Sequence, residues 1–248
     1  RVGADADYAN RFHEEDVMIR AFRWLGGMRR EALRIHVYST AIPASVGKIS
    51  TNTFAQISAA DTVEVVSSST ADTTQKLTLD YINSSGARCQ EQLSINGTTV
   101  VTSVATVSAV NQFWVDKACA GTITVRKASD NVTIGTVTIG LLHSDVGHYH
   151  AGDKPMVIIP VRAGITSTDG GAEFQVRVYP VYGAAGYDVV ERVTITNVIS
   201  QELLEGSECA IHVPAGGKVE IWADGTAGTD VTDGYFSFDV ITGWSEGV

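Results

Sequence analysis

The sequence predicts a mainly β protein: two antiparallel β-sandwich domains, the first immunoglobulin-like and the second jelly-roll-like, preceded by a short helical N-terminal arm. Three observations predict it. From Thr62 to Thr102 apolar residues step by two, at Val63/Val65, Leu77/Leu79/Tyr81 and Leu93/Ile95. That period puts one face of a strand on a core and the other in water. Turn-forming residues break the runs at Ser67–Asp72, Asn83-Ser84-Ser85-Gly86 and Asn96-Gly97, where local side-chain bonds and positive φ are tolerated. The same alternation continues almost to the C-terminus, whereas residues 1–50 differ in pattern.

The arm comes first. Asp7 or Asn10 caps a helix from about Phe12 to Leu25, with Val17, Met18, Ala21, Phe22, Trp24 and Leu25 at three- and four-residue steps. Glu14, Glu15 and Asp16 lead and Arg20 and Arg23 follow, the order a helix dipole prefers. Gly26-Gly27 stops or kinks it. Ala32–Tyr38 reads two ways, as continued helix or as a strand with Leu33, Ile35 and Val37 on one side. Ala41–Ser58, with Pro43 and Gly47, reads as linker, so the arm and linker span 1–58.

The first sandwich covers 59–142, with strands near Thr62–Val66, Lys76–Ile82, Gln90–Ile95, Thr98–Val101, Gln112–Val115, Thr122–Arg126 and Thr133–Ile139. Residues 143–155 form a polar connector. The second sandwich covers 156–248, with strands near Met156–Val161, Glu173–Val181, Val189–Thr196, Cys209–Val213, Lys218–Ala223 and Gly234–Thr242. Pro160, Pro180 and Pro214 fall at strand ends, where a missing N–H is tolerated. Long loops at Ala163–Ala172, Val198–Ser207 and Asp224–Asp233 suit a jelly-roll-like sandwich.

Composition narrows the function classes. The chain has 248 residues, 44% hydrophobic and 19% charged, which is globular rather than disordered. Its net charge is −10, and beyond residue 36 eleven basic residues face 22 acidic ones. Such a surface is a poor match for nucleic acid, whose affinity comes from clustered Lys and Arg. No apolar run reaches the roughly 20 residues of a membrane-spanning helix. Cys89, Cys119 and Cys209 are too few for a disulfide framework and read as small apolar residues. The chain starts at Arg1 without Met, and its charged start is unlike a signal peptide, so it reads as a processed chain or a fragment.

Motifs for chemistry are sparse. His143-x-Asp145-x-x-His148-x-His150-x-x-Asp153 gathers three of the six histidines in eleven residues. A His-x-His pair on a strand points both rings one way, which first-row metals accept. His148, His150 and Asp153 are therefore the metal candidates, although the downstream Glu that a cupin-type site needs is missing. Two other readings compete: a polar inter-domain loop whose histidines bond backbone or water, and a pH-responsive hinge or interface. Asp224, Asp230 and Asp233 offer oxygens to Ca²⁺ without the spacing of an EF-hand, and Asp169-Gly170-Gly171 is a weaker version. No Gly-x-Ser-x-Gly elbow or phosphate loop occurs. Glu202 and Glu205 read as a surface turn. No catalytic residue, cofactor or resident metal is expected. Phe22, Trp24, Arg29, Arg30 and Arg34 are the candidate partner interface, because aromatics and Arg dominate binding hot spots. Tyr179, Tyr182, Tyr187, Trp222, Tyr235, Phe236 and Trp244 could stack on a glycan or fill core and interface.

Three segments in order carry a family resemblance: Ser67–Thr73, Glu91–Thr99 (EQLSINGTT) and Ile211–Gly217 (IHVPAGG). Together they resemble structural proteins of tailed-bacteriophage virions, over roughly residues 60–245. Gln75–Lys76 lacks the longer Gly-rich turn of that group, and His143–His150 replaces its Gly/Asn-rich connector. The resemblance implies a non-enzymatic particle component at the phage surface, such as a capsid decoration or cement protein, a head fibre or a tail-associated protein. It implies other virion proteins as partners, either the major capsid protein or tail components, with a homotrimer or other homo-oligomer as assembly, and no nucleic acid or membrane. Two rival functions stand beside it: a tail-fibre or adsorption protein binding host glycan, and a metal-dependent jelly-roll enzyme.

Overall fold

Alternation becomes pairing in the computed structural model, which describes residues 30–39, 42, 46–49, 60–144, 147–165, 171–180, 186–196, 201–202, 211–226 and 234–243. Every regular element among them is a strand. In chain order they are β1 (Arg30–Ser39), β2 (Gly47–Lys48), β3 (Val63–Ser67), β4 (Lys76–Asn83), β5 (Arg88–Ser94), β6 (Val101–Thr102), β7 (Val107–Val115), β8 (Ile123–Lys127) and β9 (Thr133–Val137). Then follow β10 (His148–His150), β11 (Met156–Ile165), β12 (Gly171–Tyr179), β13 (Asp188–Thr196), β14 (Gln201–Glu202), β15 (Ile211–Val213), β16 (Lys218–Thr226) and β17 (Gly234–Gly243).

Four antiparallel sheets result. Residues 60–142 supply two of them, β5-β4-β7 and β6-β3-β8-β9. The other two are β1-β17-β11-β14, with β15 also on β11, and β10-β16-β12-β13, with β2 also on β16. Within this second pair of sheets the ladders are nested. β1 joins β17, β2 joins β16, β11 joins β14 and β15, and β12 joins β13. The first and last strands pair, then the next inward, as in a long antiparallel ribbon rolled up so that β17 also meets β11 and β16 meets β12.

Apolar positions at period two explain the layers. Val63, Val65, Ile123 and Val125 of one sheet and Leu77, Leu79, Phe113 and Val115 of its partner are buried and share a core. In the other pair, Phe174 of β12 meets Phe236 of β17 with ring centroids 5.9 Å apart, so these two sheets pack face to face. Tyr235 lies over Gly164, its ladder partner on β11. A Cβ at 164 would come within 2.5 Å of the ring and force it to shift. The same buried cluster runs on through both pairs of sheets.

Several expectations change. The expected helix Phe12–Leu25 lies outside the described residues, but the end of the expected helical arm is strand: Arg30–Ser39 pairs along its whole length with β17, some 200 positions later. Leu33, Ile35 and Val37 alternate there, the strand option of the two readings. Gly47–Lys48, inside the expected linker, pairs with Trp222 and Ala223. Arg30–Ser39 and Gly47–Lys48 thus share ladders with the C-terminal strands, and the residues of β3–β9 are inserted between β2 and β10. The immunoglobulin-like order also fails, since it would set the third strand of the first sandwich beside the sixth. Here β5 pairs with β4 instead. The reason is local: Asn83 Oδ1 accepts the N–H of Ser85 and of Ala87, and Gly86 takes φ +86°, closing a tight turn that keeps β5 beside β4. The expected strand Thr98–Val101 is displaced to Val101–Thr102, because Asn96 and Thr99 close the turn first. Finally, the polar connector 143–155 contains a strand, β10, on the edge of β16.

Candidate functional site

β10 is three residues long, and all three are buried. A chain segment of His-Tyr-His survives burial only if its polar atoms find partners. Asn111 on β7 supplies two: its Oδ1 accepts the His150 N–H at 2.9 Å and its Nδ2 donates to the His150 carbonyl at 3.3 Å. A side-chain amide so replaces the missing strand neighbour. His148 Nε2 sits 3.0 Å from the Val110 carbonyl, also on β7. Tyr149 donates to Asp80 Oδ2 on β4. Asp80 is fully buried and is paired with Arg88 of β5 through Nε and Nη2, at 3.0 and 2.7 Å. Three consecutive residues of a strand that belongs to one sandwich therefore bind the other.

The opposite side of the site is carried by β16. His148 stands opposite Glu220 and His150 opposite Lys218 in the ladder. Glu220 is buried, and it accepts from Lys48 Nζ and Lys218 Nζ, each at 2.7 Å, and from Trp222 Nε1 at 3.0 Å. Burial pushes its carboxyl up, but those lysine contacts outweigh it and set the pKa at about 2. Burial dominates at the histidines and outweighs the Val110 hydrogen bond and the Glu220 charge, which raise His148. It lowers His148 to about 4, and it lowers His150 well below the ordinary imidazole value, with the nearby His148 and lysines adding to it. Both rings are neutral at pH 7.

The metal candidates do not converge. The His148 and His150 rings do share a side, with centroids 5.1 Å apart. Asp153, however, is exposed in the turn after β10. Among the described residues no three His, Cys, Asp or Glu come together to hold an ion. His143 bridges Trp114, and Asp145 lies outside the described residues. Of the acidic-loop candidates, Asp224 is in β16, while Asp169, Asp230 and Asp233 lie outside the described residues. Glu202 is in β14 and Glu205 is outside. Cys89 and Cys119 carry thiols pushed up by burial, the reverse of an activated nucleophile. Cys209 is outside.

Of the interface candidates, Phe22, Trp24 and Arg29 fall outside the described residues. Arg30 and Arg34 lie on β1, at register positions opposite Gly243 and Asp239. Among the described residues β1 has one ladder partner, β17, so it is an edge.

Some of the candidate aromatics do gather. Arg177, buried on β12, places its guanidinium 4.0 Å from the Trp222 ring centroid and 4.3 Å from that of Tyr187. Lys218 lies 4.5 Å from the Tyr179 ring, and Tyr179 and Tyr187 are 5.4 Å apart. Tyr187 is 42% exposed. Tyr182 and Trp244 are outside the described residues, and Phe236 is core. A cavity of about 490 Å³ also borders β10, walled by Ile82, Asn83, Ser85, His150, Asp153 and Gly216 among others.

Asp80, Arg88, Asn111 and Tyr149 were not singled out by sequence. One signal existed: Asp80 interrupts the run Leu77–Ile82 on a strand otherwise fit for burial, and buried charges need partners.

No family model matches the chain, and no curated protein matches it. Among solved structures it is similar to the VP2 subviral particle of infectious bursal disease virus, at 11% identity over 87% of this chain and 72% of that one, with a TM-score of 0.19. A structure of the Gt strain of the same virus gives 10% identity over the same shares and a TM-score of 0.20. The vicilin of Solanum melongena gives 10% identity over 90% and 76%, with a TM-score of 0.15. Scores of this size establish neither a common fold nor a common function.

Proposed function

We propose that the chain is a non-enzymatic structural protein of a virus particle, a decoration or cement protein on the outer face of a tailed-phage head that bridges shell subunits. In this reading the nested ladders of β1, β2 and β10–β17 are a jelly roll of eight strand positions, with a second sandwich inserted inside the second position, between β2 and β10. The observation that carries the reading is the use of the buried polar groups. Asp80, Arg88, Asn111, His148 and Tyr149 brace one sandwich against the other. Two sandwiches braced in this way suit a mechanical role. β1 supports the interface expectation, since an edge strand carrying Arg30 and Arg34 can accept a neighbour's strand. The resemblance of the three turn segments to phage virion proteins points the same way, and the acidic surface suits display at high local density.

Particle analysis tests it. Mass spectrometry and cryo-electron microscopy of purified particles should find the chain on the shell, beside the major capsid protein, and light scattering of the isolated chain should give a homo-oligomer, a trimer first. Shells without copies would overturn the head placement.

A second reading has its own observation. Tyr179, Tyr187 and Trp222 gather around Arg177 with Tyr187 exposed, an arrangement able to stack on sugar rings. An adsorption protein binding host glycan would bind a glycan array and lose that binding in Tyr187→Ala. Binding unaffected by Tyr187→Ala would remove this site.

A further inference from the structure

β10 is held from two directions. Its ladder partner is β16, of the jelly roll, while its side chains and the His150 backbone bond β7 and β4 of the inserted sandwich. Gly152, just after it, takes φ +68°, and a Cβ there would lie 2.9 Å from the Gly86 carbonyl oxygen, so the chain also presses on the β4–β5 turn. We propose that β10 is an acid-released latch: protonation of the buried His148–His150 pair frees it from β7 and opens the seam between the two sandwiches.

The surroundings of the pair carry the argument. Two imidazoles with centroids 5.1 Å apart are 6% and 3% exposed. From β16 they face Lys218 and Glu220, and from β2 they face Lys48. Glu220 is the one carboxylate in that group, and both lysines already share it. Arg177 and Tyr179 follow in the same ladder rows on β12. The hydrogen-bond partners that β7 places on the pair, the Val110 carbonyl and the Asn111 amide, are neutral. On the other face of β10, Asp80 of β4 is taken by Arg88 of β5 and by Tyr149. Asp153, after the strand, is exposed and lies near Lys154. Two added protons would therefore join two lysines against a single carboxylate in a buried site, where like charges interact strongly. In the open form the rings meet water and regain ordinary basicity. The open form then binds two protons that the closed form refuses, so the opening constant rises by up to about a hundredfold per pH unit between the two pKa ranges.

Hydrogen exchange of the full chain at pH 7 and pH 5, corrected for intrinsic rates, tests this. Peptides over 147–153 and 108–113 should lose at least tenfold in protection at pH 5, while peptides over 156–165 and 234–241 keep theirs. Equal protection at both pH values, or a loss spread evenly over all four, overturns the latch. His148→Gln with His150→Gln should hold the pH 7 pattern and lose its pH dependence, whereas His212→Gln, on exposed His212 of β15, should change nothing. An unchanged pH response in the double variant also overturns it. If that variant does not fold, the ring resonances of the wild type decide. His148 and His150 must titrate together with amide opening, and below the ordinary imidazole range. Titration near pH 6.5, or none above pH 4, counts against it.

Discussion

Tyr149 donates its hydroxyl to Asp80 Oδ2 at 2.8 Å across 69 positions of sequence. The bond ties β10 to the buried Asp80–Arg88 pair. Tyr149→Phe removes one charge-assisted hydrogen bond and should cost about 2 kcal/mol in urea unfolding. Asp80→Ala should cost more, on the order of 4 kcal/mol, because it takes the paired carboxylate away from the buried Arg88 guanidinium. Equal costs would mean that the ion pair is not held as described.

Asp72 is the anchor of the Ser67–Thr73 turn. Its carboxylate accepts from Ser67 Oγ at 2.6 Å, Gln75 Nε2 at 3.1 Å, and the N–H of Ala120 and Gly121 at 2.7 and 3.0 Å. Burial pushes the acid up, but these bonds outweigh it and hold the carboxyl below its ordinary value. A lowered carboxylate stabilises the fold above its unfolded pKa, and that contribution is lost as pH falls through the lower, folded value. Asp72→Asn should cost roughly 2 to 3 kcal/mol at pH 7 and progressively less below pH 4. A pH-independent cost would contradict the assignment.

Gly164 is filled from across the ladder by Tyr235. Gly164→Ala should destabilise by about 1 to 3 kcal/mol through overpacking. Adding Tyr235→Ala should recover part of that, a favourable coupling in a double-mutant cycle. Strict additivity would show that the ring does not occupy the glycine's space.

Acid should act in two steps. His148 is lowered to about 4 from 6.5, so its stabilising effect is complete above pH 6.5 and lost as pH falls toward 4, on the order of 3 kcal/mol. Glu220 is lowered to about 2 from 4.5, so its effect is present above 4.5 and lost toward pH 2. Urea midpoints at pH 7, 5.5, 4 and 2.5 should fall across both windows. A plateau from pH 7 to 4 would exclude the first step.

Gln112 stands beside Asp80 in the β4–β7 ladder, and its Nε2 is buried with no hydrogen-bond partner among the described residues. Gln112→Met keeps the length and removes the orphan donor, and should raise stability by about 1 kcal/mol. A drop of similar size would reveal a partner for the amide.

Strands were legible where apolar side chains alternate over four or more residues, as in Leu77–Tyr81 and Phe236–Val240, because burial of one face imposes that period whatever the neighbour. β10 was not legible. His-Tyr-His offers no apolar alternation, and its stability comes from Asn111, Val110 and Asp80, all distant in sequence. The His-x-His spacing did mark the right place and the shared ring direction. Spacing alone left metal ligand, backbone-bonded loop and pH-responsive hinge open; burial beside Lys48 and Lys218 holds both imidazoles below their ordinary value, and the exposed Asp153 completes no ligand set.

The amino-acid order by itself determined a chain of short antiparallel strands, because side-chain period and turn residues act over a few positions. Tertiary structure alone decided which strands are neighbours: Arg30–Ser39 could lie down as readily as a helix or against any open edge until β17 offered ten matched positions. It also decided that His148, Tyr149 and His150 face three different partners in a second sandwich. Pairing and burial depend on surfaces brought together from far along the chain, and local sequence does not encode those distances.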